Sequence, residues 1–251
     1  MAVATKFGRG DDVYPGNYSE DILRRKIEGS FERLGMESLD LLQLHCVPTD
    51  VLRQGEIFDW LRRARQEGLI QHFGASVETI EEGLLCLEQD GLLSLQVIFN
   101  IFRQQIASEL LPKAKEKGVG VIARLPLASG LLSGKFSRDT VFDKTDHRNY
   151  NRDGQHFNVG ETFAGLPFET GVDLADMIKD LLPENMSMAQ LAIRWILDHE
   201  AVSVVIPGAS SPVQARENAA ISDIVHLPGG LHDALSNLYT NSVHDQVRGP
   251  Y

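Results

Sequence analysis

Six short apolar runs alternate with helix-like runs along the 251 residues, and that rhythm predicts an α/β fold built on parallel strands. Two further observations narrow the choice. The strand-like runs are near-continuously apolar, as expected of parallel strands covered on both faces. No dinucleotide fingerprint opens a helix after the first run. Gly8-Arg-Gly10 follows a strand-like stretch, but Val13 holds the place of the third glycine, and Tyr14, Pro15 and Gly16 follow instead of a helix. A barrel is therefore favoured over an open, doubly wound sheet. The expected fold is a (β/α)8 TIM barrel with about six of its eight parallel strands present. The two others correspond to roughly 60 residues, at about 30 per βα unit.

The strands are expected at residues 2–5, 39–45, 70–75, 95–99, 119–125 and 202–206. Between the first two, Leu23, Ile27, Phe31 and Leu34 share one helical face, with Glu20 and Asp21 in the first turn and Gly35 as the stop. Ile57, Trp60, Leu61 and Ala64 form the next stripe, ending at Gly68. Leu110, Leu111 and Ala114 form a third, closed by Lys115, Lys117 and Gly118, cations that suit the negative end of a helix dipole. Ser187 and Gln190 make a capping box ahead of Leu191, Ala192, Trp195 and Ile196. Ser211 followed by Pro212 offers a cap with proline at the first helical position. Residues 135–171 break the rhythm. They are rich in Asp, Arg, Asn, Gly and His, follow a predicted strand, and read as an irregular substrate-side loop at the barrel mouth.

Composition is that of an ordinary globular chain, 43% hydrophobic and 24% charged. The net charge is −11, and Arg62, Arg63 and Arg65 are too few to make the basic patch a nucleic-acid binder needs. No apolar run approaches the ~20 residues of a membrane helix, and residues 1–8 lack the pattern of a secretory signal. Cys46 and Cys86 fit neither a disulfide framework nor a metal spacing, which points to a reducing, cytoplasmic setting. His147 and His156, nine apart in the irregular segment, match no metal-ligand spacing. No metal is expected.

Six segments carry a resemblance: ATKFG (residues 4–8), SLDLLQLH (38–45), EGLIQHFGAS (67–76), LQVIFN (95–100), LPLASGLLSGKF (125–136) and VIPGASSPVQARENAAI (205–221). In this order they resemble the aldo-keto reductase family and cover nearly the whole chain. The resemblance implies a single barrel domain over residues 1–251, binding NADP(H), with NAD(H) also open. The implied activity is reduction of small aldehydes or ketones to alcohols by hydride transfer. In the family a Tyr protonates the carbonyl oxygen, a Lys lowers the Tyr pKa, an Asp pairs with the Lys, and a His orients the carbonyl. A phenol with a pKa of about 10 needs such a cation to act near neutral pH.

Lys6 matches the family lysine and His45 the family histidine. The family Asp and Tyr precede the Lys, on segments expected to be missing from this chain; Asp11, Asp12, Tyr14 and Tyr18 read as turn and cap residues. Ser76 and Gln96 match the residues that hydrogen-bond the nicotinamide carboxamide, and Val77 stands where an asparagine often joins them. Arg124 stands where many members stack Tyr or Trp on the ring, a role a guanidinium plane can also fill. Leu127, Ser129 and Gly130 match the loop along the pyrophosphate. Gly208, Gln214 and Asn218 match the segment at the adenosine end, where no Lys–Arg pair for a 2′-phosphate is evident.

The alternative is a non-catalytic, cofactor-binding remnant that keeps the barrel surface without the proton donor. In either case, two exposed sheet edges would favour self-association.

Overall fold

The computed structural model describes residues 2–249, which fall into two compact units. Among these, one comprises residues 2–97 and 109–121, the other residues 98–108 and 122–249.

In the first unit β1 (Ala4–Phe7), β2 (Leu39–His45), β3 (Ile70–Ser76) and β4 (Leu92–Ile98) pair in parallel, in chain order. β1 lies two residues later than predicted, so Lys6 sits inside the strand. α1 (Glu20–Leu34) starts where the Ser19 side chain accepts from the Ile22 N–H, and its cap is Gly35. Its buried stripe is Ile22, Leu23 and Ile27. α2 (Thr49–Gln54) and α3 (Glu56–Gln66) follow β2. In α3 the buried positions are Ile57, Phe58, Leu61 and Ala64, so Phe58 takes the core place expected of Trp60, which is only half-buried. α4 (Ile80–Leu87) opens on a complete Thr79–Glu82 capping box, and α5 (Leu110–Glu116) closes the unit's helices.

The two faces of these strands differ sharply. Side chains alternate along a strand, and directly paired residues of parallel strands share a face. Register therefore puts Phe7, Leu42, Leu44, Phe73, Ala75, Leu95 and Val97 on one side, all buried. The other side carries Lys6, Gln43, His45, Gly74, Ser76, Ser94 and Gln96. The expectation of strands apolar on both faces fails here. Helices cover the apolar face, while the opposite one is polar over its C-terminal half.

In the second unit, residues 122–124 of β5 (Gly120–Arg124) run beside β6 (Val202–Val205), where the Ile206 N–H donates to the Ala123 carbonyl at 3.0 Å. α6 (His147–Tyr150) and α7 (Phe168–Lys179) punctuate and end the segment expected to be irregular. That segment owns a small aromatic core: Phe142 meets Phe136 and Phe168 at centroid distances of 5.2 and 5.4 Å, and Phe163 meets Phe168 at 4.9 Å. α8 (Met188–Leu197) begins with the predicted Ser187–Gln190 capping box, and α9 (Pro212–Ala220) with the predicted Ser211 cap.

The C-terminal end of α8 is tied to α10 (Gly229–Leu238) through Asp198, whose side chain is 4% exposed. Its carboxylate accepts from Arg194 Nε at 2.9 Å and the Leu227 N–H at 2.9 Å, and contacts His226 Nδ1 at 2.7 Å and His232 Nε2 at 2.9 Å. Among the described residues no helix is long and apolar enough to cross a membrane.

Candidate functional site

The C-terminal ends of β1 to β4 bring four of the sequence-predicted residues onto the one polar face. His45 pairs with Ser76, and Ser76 with Gln96, in a single row across three strands. Lys6 pairs with Gln43, two residues before His45 on the same side of β2. Burial grades along the face: Lys6 is exposed, His45 half-buried, and Ser76 and Gln96 buried.

A hydrogen-bonded chain lies behind this row. Gln96 Nε2 donates to Gln43 Oε1 at 2.9 Å, and Gln43 Nε2 donates to Ser94 Oγ at 3.4 Å. Gln96 Oε1 is buried and has no hydrogen-bond partner among the described residues. Sequence reading missed Gln43 and Ser94. Their signal is the alternation Leu-Gln-Leu-His in β2 and Ser-Leu-Gln-Val in β4, a period of two inside runs that otherwise look uniformly apolar.

Beyond the strand ends, Cys46 turns with φ 47°, and its N–H donates to the Ser76 carbonyl at 2.9 Å. Val77 is buried. Arg9 pairs with Glu78 at 3.0 Å and lies 4.7 Å over the Tyr14 ring. The Tyr18 hydroxyl donates to the Gly8 carbonyl at 3.0 Å, and burial pushes its phenol up to about 12, away from the range of a proton donor. Asp12 pairs with Lys26 at 2.8 Å. Tyr18 and Asp12 thus serve the β1–α1 connection, as turn chemistry requires.

The remaining predicted residues lie in the second unit. The Arg124 guanidinium is bound by Glu161, whose backbone carbonyl also accepts from Ser129 Oγ at 3.2 Å. Ser129 Oγ in turn accepts from the Phe163 N–H at 3.1 Å. The loop after β5 and the 159–163 turn are thereby fastened together by Arg124, Ser129 and Glu161, the last of which no periodic pattern announces. Gly130, at φ 101°, packs where a Cβ would meet the Phe136 ring at 2.8 Å. Leu127 precedes this turn, half-buried.

Gly208, Gln214 and Asn218 come together in the connection from β6 to α9. Asn218 Nδ2 donates to the Gly208 carbonyl at 3.2 Å, and Gln214 Oε1 accepts from the Ser210 N–H at 2.8 Å. A groove of about 460 Å³, lined by residues including Val205, Ile206, Ala215 and Asn218, runs beside α9. Among the described residues no group of three or more His, Cys, Asp or Glu could hold a metal ion.

Parallel strands alternating with helices, with polar groups collected at their C-terminal ends, define an α/β-barrel type of enzyme scaffold. The family model of the Aldo/keto reductase family matches residues 1–236, and the chain belongs to that family. It is 29% identical to the L-glyceraldehyde 3-phosphate reductase of Escherichia coli K12 over 229 residues, covering 87% of this chain and 64% of that protein. It is 27% identical to the NADH-specific methylglyoxal reductase of the same organism over 221 residues, 86% of this chain and 64% of that protein. The chain thus spans just under two thirds of the length of these curated relatives.

Among solved structures, a glycerol dehydrogenase from Gluconobacter oxydans superposes with a TM-score of 0.78 at 27% identity, covering 100% of this chain and 75% of the other. An aldo-keto reductase from Bacillus halodurans shares the fold, with a TM-score of 0.71 at 23% identity over 95% of this chain and 72% of the other.

Proposed function

We propose that the protein reduces aldehydes or ketones to alcohols by hydride transfer with NADP(H). The observation that carries this reading is the polar face that Lys6, His45, Ser76 and Gln96 share on four successive strands in a member of this family. Gln96 Oε1, buried and without a partner among the described residues, fits a carboxamide, whose NH2 is the donor that oxygen requires.

When bound, the nicotinamide supplies the hydride. Ser76 and Gln96 would hold its carboxamide; in the second unit, Arg124 matches the family position that stacks on the ring, and Leu127, Ser129 and Gly130 match the loop that follows the pyrophosphate. Gly208, Gln214 and Asn218 hold the adenosine end, where the amides at the start of α9 suit a phosphate. His45 donates a hydrogen bond that orients the substrate carbonyl. Lys6 favours the ionised form of the proton-donating phenol that the family uses, bringing its pKa toward neutrality. Cys46 and Cys86 are both buried and not joined in a disulfide, in keeping with a reducing compartment, and we assign the protein to the cytoplasm.

The test is direct. Binding of NADPH and of NADH is measured by calorimetry, and oxidation of each is followed at 340 nm with a panel of simple aldehydes. Turnover with either cofactor supports the reading, and the ratio of the two affinities sets the preference. Failure to bind both sinks it. Tight binding without turnover on any carbonyl would instead identify a non-catalytic cofactor-binding protein.

A further inference from the structure

We propose that Gln43 is a positioning residue that fixes the side-chain amide of Gln96. Held this way, Gln96 presents its carbonyl oxygen, and not its NH2, to the carboxamide of a nicotinamide cofactor. The inference rests on the cofactor reading above and adds to it the direction of one hydrogen bond.

A glutamine amide has two ends of similar shape and opposite chemistry, two donors on nitrogen and two lone pairs on oxygen. Left alone, Gln96 could turn either end to a ligand and discriminate poorly. Gln43 ties that choice to two further buried groups. It is 1% exposed and occupies the interior of β2, where its Oε1 accepts from Gln96 Nε2 at 2.9 Å. Its own Nε2 donates to Ser94 Oγ at 3.4 Å. Turning Gln96 over alone would set its oxygen against the oxygen of Gln43, two buried acceptors with no proton between them. The reversed chain requires Gln43 to turn with it and the Ser94 hydroxyl to become the donor, three buried groups moving together.

The chain spans three strands because the middle one gives way. Gly74 on β3 is the paired residue of both Gln43 on β2 and Ser94 on β4. A Cβ there would stand 2.4 Å from Ser94 Oγ, so only glycine leaves the passage through which Gln43 reaches β4. What remains is Gln96 Oε1, buried and without a partner among the described residues. A carboxamide NH2 would satisfy it. A carboxylate in the same place would oppose oxygen to oxygen.

Binding of NADP+ is therefore compared by calorimetry with binding of its deamidated analogue, in which the carboxamide is a carboxylate. The wild-type chain should prefer NADP+ by about tenfold or more, as expected where a buried polar group is left unmatched. Gln43→Met, close in volume but unable to accept, should reduce that preference to about threefold or less, because the Gln96 amide can then turn. Ser94→Ala, which frees Gln43 Nε2, should bring a smaller fall in the same ratio, and it carries the test if Gln43→Met does not fold by circular dichroism. A merely structural role would weaken both ligands together and leave the ratio unchanged, and an unchanged ratio in the folded variants overturns the role of Gln43. Wild-type protein that binds neither ligand overturns the cofactor reading itself, a separate result.

Discussion

The polar strand face and the β6–α9 connection both carry residues matched to cofactor binding, yet they are built in opposite ways. On the strands, Gln43, Ser76, Ser94 and Gln96 are buried, hydrogen-bonded across strands and fixed by register. In the connection, Gly208 is exposed, and Gln214 and Asn218 hold the local backbone by bonds at the surface. A site on rigid strands sets geometry, and its residues answer to packing as well as to chemistry. A capped helix start can change its side chains at little cost to the fold, which is where variation between 2′-phosphate and 2′-hydroxyl recognition can be accommodated.

The contrast can be broken most forcefully at the strand ends. On the proposed role of Lys6 in proton transfer, Lys6→Met should lower kcat/KM by about 100-fold or more while leaving NADPH affinity within about threefold. Steady-state kinetics alongside calorimetry check this, and an equal loss in both would remove Lys6 from catalysis.

Next comes the Asp198 clamp, a purely structural counterpart in the second unit. Burial works to raise its carboxyl pKa, but bonds from His232, the Leu227 N–H and Arg194 outweigh that and hold it below the ordinary 3.8. A depressed carboxylate contributes stability that is present above its unfolded pKa and is lost as pH falls through the lower folded value. Asp198→Ala should cost about 2–4 kcal/mol at pH 7 by urea denaturation, leaving a buried Arg194 short of its partner. The gap from wild type should close only below pH 3.8.

Glycine substitutions then compare the two regions like for like. Gly74→Ala forces a Cβ to within 2.6 Å of the Ser94 carbonyl and should destabilise by about 1–3 kcal/mol. Gly208→Ala meets nothing within 4 Å and should change stability by less than about 0.5 kcal/mol; on the proposed function its effect falls on cofactor affinity. Similar thermal shifts for the two would erase the distinction between a packed and an adaptable region.

Much of this was legible in the residues. The caps Ser187 and Ser211 and the strands at 39–45 and 202–206 carry local signals, in side chains that bond their own backbone or in short apolar runs. α4 went unread although Thr79 and Glu82 spell a capping box, because its eight residues make too short a stripe to register as a period. Glu161 could not be read at all. It acquires its role from a partner far along the chain, Arg124, and long-range pairing leaves no local pattern. Similarity to a family located Lys6 and His45; the alternation along β2 and β4 would have located Gln43.

The aromatic core of the 136–168 segment has a consequence for how the chain breathes. Phe136, Phe142, Phe163 and Phe168 pack on one another, with Phe163 and Ala164 held at φ 52° and 57°. Such packing predicts a segment that melts as a unit. Its amides should exchange with solvent deuterium cooperatively, as one foldon with its own opening free energy, rather than residue by residue as an unstructured loop would.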